Sequence, residues 1–290
     1  MTRLRLLFLT GMALAVLSAQ SSSTPYGSNP AAGQTFTHDG VKLYYEVYGT
    51  NGEPLLVIHP NGTSIAAMKP QIEHFRKRFH VIAMDTRDHG RSGDSTGPLT
   101  YEKMTADQVA LLDHLKIPSA NVLGWSDGGI QALLLGMKYP SRVKKIAATG
   151  ANLNPSSSAI YPETIAMVKE MLSSIPAADR DKPATKRVIR TTELMLAQPH
   201  IAASSLAAIQ APALIMAGDH DLIRDQHTVE IFHRIPNSQL AIFPGSTHAV
   251  SYDSPALFNA TVEHFLTTPF VKLDRVKDAL KTFDAIAQGK

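Results

Sequence analysis

The sequence predicts a doubly wound α/β fold. Its core is a mostly parallel eight-stranded sheet, with a small helical cap inserted after strand six. Three observations predict it. Six short runs are almost wholly apolar, as strands buried on both faces are. Helix-periodic stretches lie between those runs. One long segment, 152–209, contains helical patterns but no strand.

The elements follow in chain order. Thr35 to Thr37 and Lys42 to Tyr48 bracket His38-Asp39-Gly40, a hairpin turn signal. In the second run Leu43, Tyr45 and Val47 alternate with Lys42, Tyr44 and Glu46. The apolar runs are Leu55 to Ile58, Val81 to Met84, Asn121 to Leu123, Lys145 to Thr149, Ala213 to Ala217 and Leu240 to Phe243. Helices are expected over 65–78, 105–115, 126–139, 225–235 and 255–266. Asp225 and Ser254 are read as N-caps and Pro255 as a first helical residue. In the inserted segment, helices are expected around 162–173 and 185–197. Ile165, Val168, Met171, Leu172 and Met195 there are read as packing within the cap rather than as substrate contacts. The tail 271–290 is amphipathic, with Leu273, Val276, Leu280 and Phe283 at helical spacing, and is expected to pack on the domain.

Residues 1–20 have the pattern of a secretory signal: Arg3 and Arg5, an apolar run from Leu6 to Leu17, then small residues. Export to a periplasm or out of the cell is expected, with no stable membrane association once the signal is removed. Residues 21–33 read as a Ser/Pro/Gly linker. The domain is expected over 34–270. The chain contains no cysteine, which excludes disulfides, thiolate catalysis and Cys-ligated zinc. Its formal charge is +3, falling to +1 without Arg3 and Arg5. No run of Lys and Arg interleaved with aromatics supports nucleic-acid binding.

Gly124-Trp125-Ser126-Asp127-Gly128-Gly129 lies between an apolar run and a helical one. A serine between glycines at a strand-to-helix turn has the pattern of a nucleophile elbow. Further chemistry-bearing residues end other strands: Asn61 after Leu55 to Ile58, Asp219 and Asp221 after Ala213 to Ala217, His248 after Leu240 to Phe243. In a parallel sheet such ends converge on one edge. No histidine pair forms a metal-ligand set, and no metal or cofactor is expected.

The chain order Ser126, Asp221, His248 resembles that of the α/β-hydrolases, from about Thr35 to Leu266. Within them, Gly124 to Ile130, Lys138-Tyr139-Pro140 and Gly150-Ala151-Asn152 resemble the biphenyl hydrolase-like, or valacyclovir hydrolase-like, group. The resemblance implies a nucleophile at Ser126, a general base at His248 and an orienting acid at Asp221, with Asp219 the rival acid. It also implies an oxyanion hole from the backbone N–H groups of Asn61 and Asp127. Two positions depart from the family pattern: Pro60 and Asp88 stand where glycine is usual. His59 and His89 are expected to brace the site. Asp127 and Trp125 are candidate substrate-binding residues, and two readings of Asp127 stay open: attraction of a substrate ammonium, or capping of helix N–H groups. The implied activity is cleavage of small-molecule carboxylic esters, with α-amino-acid and small aryl or alkyl esters as candidates. The alternatives are lactone or carbon–carbon bond hydrolysis by the same residues, and a weakly catalytic binding or receptor protein.

Overall fold

The computed structural model describes residues 24–289. The proposed signal, 1–20, lies outside the described residues. The strands are β1 Gly33–His38, β2 Val41–Tyr48, β3 Pro54–Ile58, β4 His80–Met84, β5 Ala120–Trp125, β6 Val143–Thr149, β7 Ala213–His220 and β8 Ser238–Thr247. They form one sheet in the order β1-β2-β4-β3-β5-β6-β7-β8. β1 and β2 pair antiparallel, as do β2 and β4; every other pairing is parallel. The hairpin turns through Asp39 at φ 48° and Gly40 at φ 71°, the left-handed pair a tight two-residue connection uses.

The helices are α1 Lys69–Phe75, α2 Tyr101–His114, α3 Asp127–Lys138, α4 Pro162–Ser173, α5 Pro183–Ala197, α6 Asp225–Arg234, α7 Val250–Asp253, α8 Pro255–Thr267 and α9 Lys277–Ala287. On one face of the sheet, Leu111 of α2, Ile130 and Leu133 of α3 and Ile231 of α6 cover Leu56, Ile58 and Val122. On the other, Ile72 and Phe75 of α1 and Phe258 and Val262 of α8 cover Leu55, Val57 and Leu123. This two-sided burial is why the central strands read as unbroken apolar runs.

Several expectations are corrected. The helix expected over 65–78 divides into a 3₁₀ turn, Ile65–Met68, and α1, which restarts beside Pro70. α2 begins earlier than its apolar spacing suggested, because the Thr100 hydroxyl accepts the Lys103 N–H at 3.2 Å. Asp225 is the first residue of α6 rather than its cap. Ser254 does precede α8, but its hydroxyl meets that of Ser246 at 3.2 Å instead of capping. β8 runs on through Pro244 to Thr247, and after a register shift His220 pairs with Thr247.

The stretch read as a linker is folded onto the sheet in its described part. Tyr26 is buried, and the N–H groups of Gly27 and Asn29 donate to the carboxylate of Glu46 at 2.8 and 2.9 Å. The Tyr44 and Tyr48 hydroxyls donate to the same carboxylate at 2.6 and 2.7 Å.

α4 and α5 form the cap. The end of the segment assigned to it belongs to the main core: Leu206 and Ile209 are fully buried there, and Ile209 reaches toward Gly136 of α3. α9 has the expected periodicity but does not pack on the domain. Leu273, Val276, Leu280 and Phe283 are all more than half exposed. Among the described residues no helix is long and apolar enough to cross a membrane.

Candidate active site

The turn between β5 and α3 positions Ser126. A side chain at 124 would run into the backbone of Gly128, and one at 128 into the carbonyl of Ile58. Gly124 is therefore required by the tightness of the turn itself and Gly128 by its close passage against β3. Ser126 itself has φ 56° and ψ −117°. That strained backbone is held by its N–H, which donates to the Thr149 carbonyl at 2.8 Å.

The hydroxyl so presented meets His248. His248 Nε2 lies 2.9 Å from Ser126 Oγ, and His248 Nδ1 lies 2.6 Å from Asp221 Oδ1. Asp221 is 7 % exposed, and its Oδ1 also accepts the Ile223 N–H at 2.9 Å, which fixes the carboxylate plane. Since a carboxylate takes the Nδ1 proton, Nε2 is left as the acceptor facing the serine. Such a hydroxyl can pass its proton to the imidazole as it attacks a carbonyl carbon. Asp219 is turned elsewhere, accepting the Gly245 and Ser246 N–H groups at 2.9 and 3.1 Å. The fold thus brings Ser126, Asp221 and His248 together and leaves Asp219 as a turn residue.

Two neighbours hold His248. Trp125 Nε1 donates to the His248 carbonyl at 2.8 Å while its ring faces the same cavity as Ser126. Gly150, at φ 63°, lies directly against the imidazole: a methyl group there would stand 2.7 Å from His248 Cε1. Gly150→Ala is expected to displace the ring and lower kcat by roughly a hundredfold, with much less effect on KM. Steady-state kinetics on any turned-over ester checks this.

Of the two readings of Asp127, capping is corrected: its carboxylate takes side-chain donors rather than helix N–H groups. It is 3 % exposed, accepting the Tyr101 hydroxyl at 2.8 Å and Asn61 Nδ2 at 2.7 Å. Asn61 Nδ2 also donates to the carbonyl of Thr191 on α5 at 3.0 Å. The side chain of Asn61 is thus tied to both the elbow and the cap. The Asp127 N–H is the first of α3, where no intrahelical acceptor exists, and both Asn61 and Asp127 border the cavity over Ser126.

His59 and His89 lie under this loop as a buried pair with ring centroids 5.2 Å apart. The Thr86 N–H donates to His59 Nε2 at 3.0 Å, so Nδ1 carries the proton and faces the Pro60 carbonyl at 2.8 Å. His59 therefore ties the Asn61 loop to the end of β4. His227 of α6 is also buried; its Nε2 accepts the Leu153 N–H at 3.0 Å and anchors the start of the inserted segment.

Burial sets these groups against one another. It pushes Asp127 up to about 6, and likewise Asp85, which follows β4 and accepts the Ile65 and Arg91 N–H groups, while it pushes His59 and His89 down to about 4. An acid whose folded pKa is raised stabilises the fold at low pH and loses that contribution as pH rises through about 6. A histidine whose folded pKa is lowered stabilises above its ordinary 6.5 and loses that contribution as pH falls through about 4. The two signs offset between these limits. Asp127→Asn removes one acid, so on acidification from about pH 7 to 4.5 it is expected to lose about 2 kcal/mol more stability than the wild type. Urea midpoints at the two pH values measure it.

A cavity of about 310 Å³ opens above Ser126. Ile165, Met167, Val168 and Met171 of α4 and Met195 of α5 wall it. The apolar stripe read as internal cap packing thus faces the site. Helical periodicity marks an apolar face without saying whether that face meets side chains or a cavity. Tyr101 and Thr191 were not identified from sequence; no local signal links them to residues so distant in the chain. Among the described residues, no lysine or arginine lines the cavity, and no group of three or more His, Asp or Glu side chains is placed to hold a metal.

Comparison with known proteins agrees with this fold. Residues 53–170 match the α/β hydrolase fold family. The chain is 26% identical to 3-oxoadipate enol-lactonase 2 of Acinetobacter baylyi, over 79% of this chain and 94% of that protein. It is 28% identical to human serine hydrolase BPHL, over 79% and 84% of the respective chains. The enol-lactonase from Burkholderia xenovorans LB400 shares the fold with a TM-score of 0.68 at 23% identity, covering 81% of this chain and all of that one. The chain therefore has the α/β-hydrolase fold and is distantly homologous to serine hydrolase BPHL and to enol-lactonases.

Proposed function

We propose that this α/β hydrolase cleaves small, uncharged carboxylic esters through an acyl-enzyme on Ser126. The observation that carries the reading is the unbroken relay of Asp221, His248 and Ser126 at the floor of an apolar cavity. In this mechanism Ser126 Oγ attacks the ester carbonyl as His248 Nε2 takes its proton. The N–H groups of Asp127 and Asn61 stabilise the oxyanion. His248 returns the proton to the departing alcohol, then activates a water molecule that releases the acid.

Lactones are the second reading, supported by the distant enol-lactonase homologue. The same relay would open a cyclic ester. An anionic lactone fits poorly, because among the described residues no lysine or arginine lines the cavity to receive its carboxylate. α-Amino esters fit less well than neutral ones, because both Asp127 oxygens already accept a hydrogen bond. Asp127→Ala is therefore expected to impair neutral and α-amino esters alike, by roughly tenfold or more in kcat/KM. A rise in KM confined to α-amino esters would overturn that preference. The activity itself is tested with p-nitrophenyl acetate, neutral lactones and α-amino esters. No turnover of any of them, together with no fluorophosphonate labelling of Ser126, would favour a binding protein instead.

A further inference from the structure

Asp88 occupies a backbone position that suits glycine, at φ 62°, and its side chain is fully buried. Its Oδ1 accepts the Ser95 N–H at 2.6 Å, and its Oδ2 accepts the Ser95 hydroxyl at 2.7 Å. Arg190 of α5 donates to Oδ2 through Nη2 and Nε, at 3.1 and 3.3 Å. Arg190 Nη2 also reaches the Gly97 carbonyl at 2.8 Å. One turn earlier on α5, Arg187 binds the Gly90 and Ser92 carbonyls at 3.0 and 2.9 Å. The cap helix is therefore fastened by charge to the loop that follows β4.

The residue after Arg190 is Thr191, whose carbonyl holds Asn61 Nδ2. The latch therefore sits one residue from the contact that braces the Asn61 loop. Further along, Met195 of the same helix walls the cavity. A shift of α5 would move both.

We infer that Asp88 and Arg190 are positioning residues for hydrolysis, holding α5 so that Thr191 keeps the Asn61 loop, and with it the Asn61 amide, in place for the oxyanion. An alternative use of this ion pair is mere attachment of the cap. That role predicts lower stability but unchanged turnover by the molecules that remain folded. The backbone favours a sharper test than usual. Glycine relieves the left-handed strain at 88, which offsets part of the cost of leaving the Ser95 N–H and hydroxyl without their acceptor, and Arg190→Met removes the latch while keeping both Ser95 bonds.

The kinetic arm rests on the proposed ester chemistry. Wild type, Ser126→Ala, Asp88→Gly, Arg190→Met and Arg190→Lys are compared well below their melting temperatures. Turnover of p-nitrophenyl acetate is normalised to folded protein. Asp88→Gly and Arg190→Met are expected to lower kcat roughly tenfold with KM changed less than about threefold. Arg190→Lys restores part of the loss by keeping the charge, and a variant carrying both Asp88→Gly and Arg190→Met is no worse than either single one. Equal kcat in wild type and latch variants overturns the inference. Failure of the wild type to exceed Ser126→Ala instead overturns the proposed ester chemistry. A second readout then decides the latch by itself. Amide hydrogen exchange in the 59–63 peptide is expected to quicken at least threefold in Arg190→Met, with the 127–138 peptide unchanged. Unchanged exchange in 59–63 overturns the inference whatever the substrate.

Discussion

Ser126→Ala is expected to abolish ester turnover while leaving the fold intact. Where a serine and its histidine act as a unit, removing either lowers kcat by on the order of 10⁶. The residual rate comes from binding and oxyanion stabilisation alone. The backbone at 126 is set by its surroundings. Gly124 allows the tight turn and Gly128 its close passage against β3, and the Ser126 N–H is held by Thr149. Alanine meets the same left-handed strain as serine, so the melting temperature should barely move. Loss of fluorophosphonate labelling in parallel with loss of turnover assigns the nucleophile. A variant that keeps wild-type turnover would place the chemistry on another residue.

Glu46→Ala is expected to cost about 3–5 kcal/mol of stability, the largest effect of a substitution away from the site. Glu46 is fully buried and accepts four donors: the Gly27 and Asn29 N–H groups and the Tyr44 and Tyr48 hydroxyls. Alanine leaves these donors without their acceptor. It also frees the segment before β1, which the carboxylate ties to the sheet. Urea unfolding gives the free energy, and limited proteolysis should cut first ahead of Gly33. Wild-type stability in Glu46→Ala would show that water replaces the carboxylate without cost.

Glu46 shows where sequence reading stops. The alternation over 42–48 correctly separates two faces of β2, yet Glu46 and Tyr44 are buried as well as Leu43 and Tyr45. The cover over their face comes from residues 24–33, whose Ser/Pro/Gly composition reads as a linker. The central strands were legible because burial on both faces leaves unbroken apolar runs. The strand-end positions of Ser126, Asp221 and His248 were legible because parallel strands end on one edge. Partners distant in sequence were not. Asp127 could be paired with its neighbours in the chain, but nothing marked Tyr101 or Asn61 as its hydrogen-bond donors. The same holds for α9, whose periodicity predicts an apolar face but not that the face lies open.

The pairing of Ser126 with His248 spans 122 residues of chain. Nucleophile and base lie on opposite sides of the cap in sequence, and the base follows β8, the last strand and an edge of the sheet. Contacts so far apart close late, because the entropy of joining a long loop must be overcome first. A chain whose sheet is assembled through β7 but not β8 would be compact yet lack the His248 contact. Recovery of the proposed ester hydrolysis during refolding would therefore report docking of the final strand, and could be timed against the earlier gain of secondary structure.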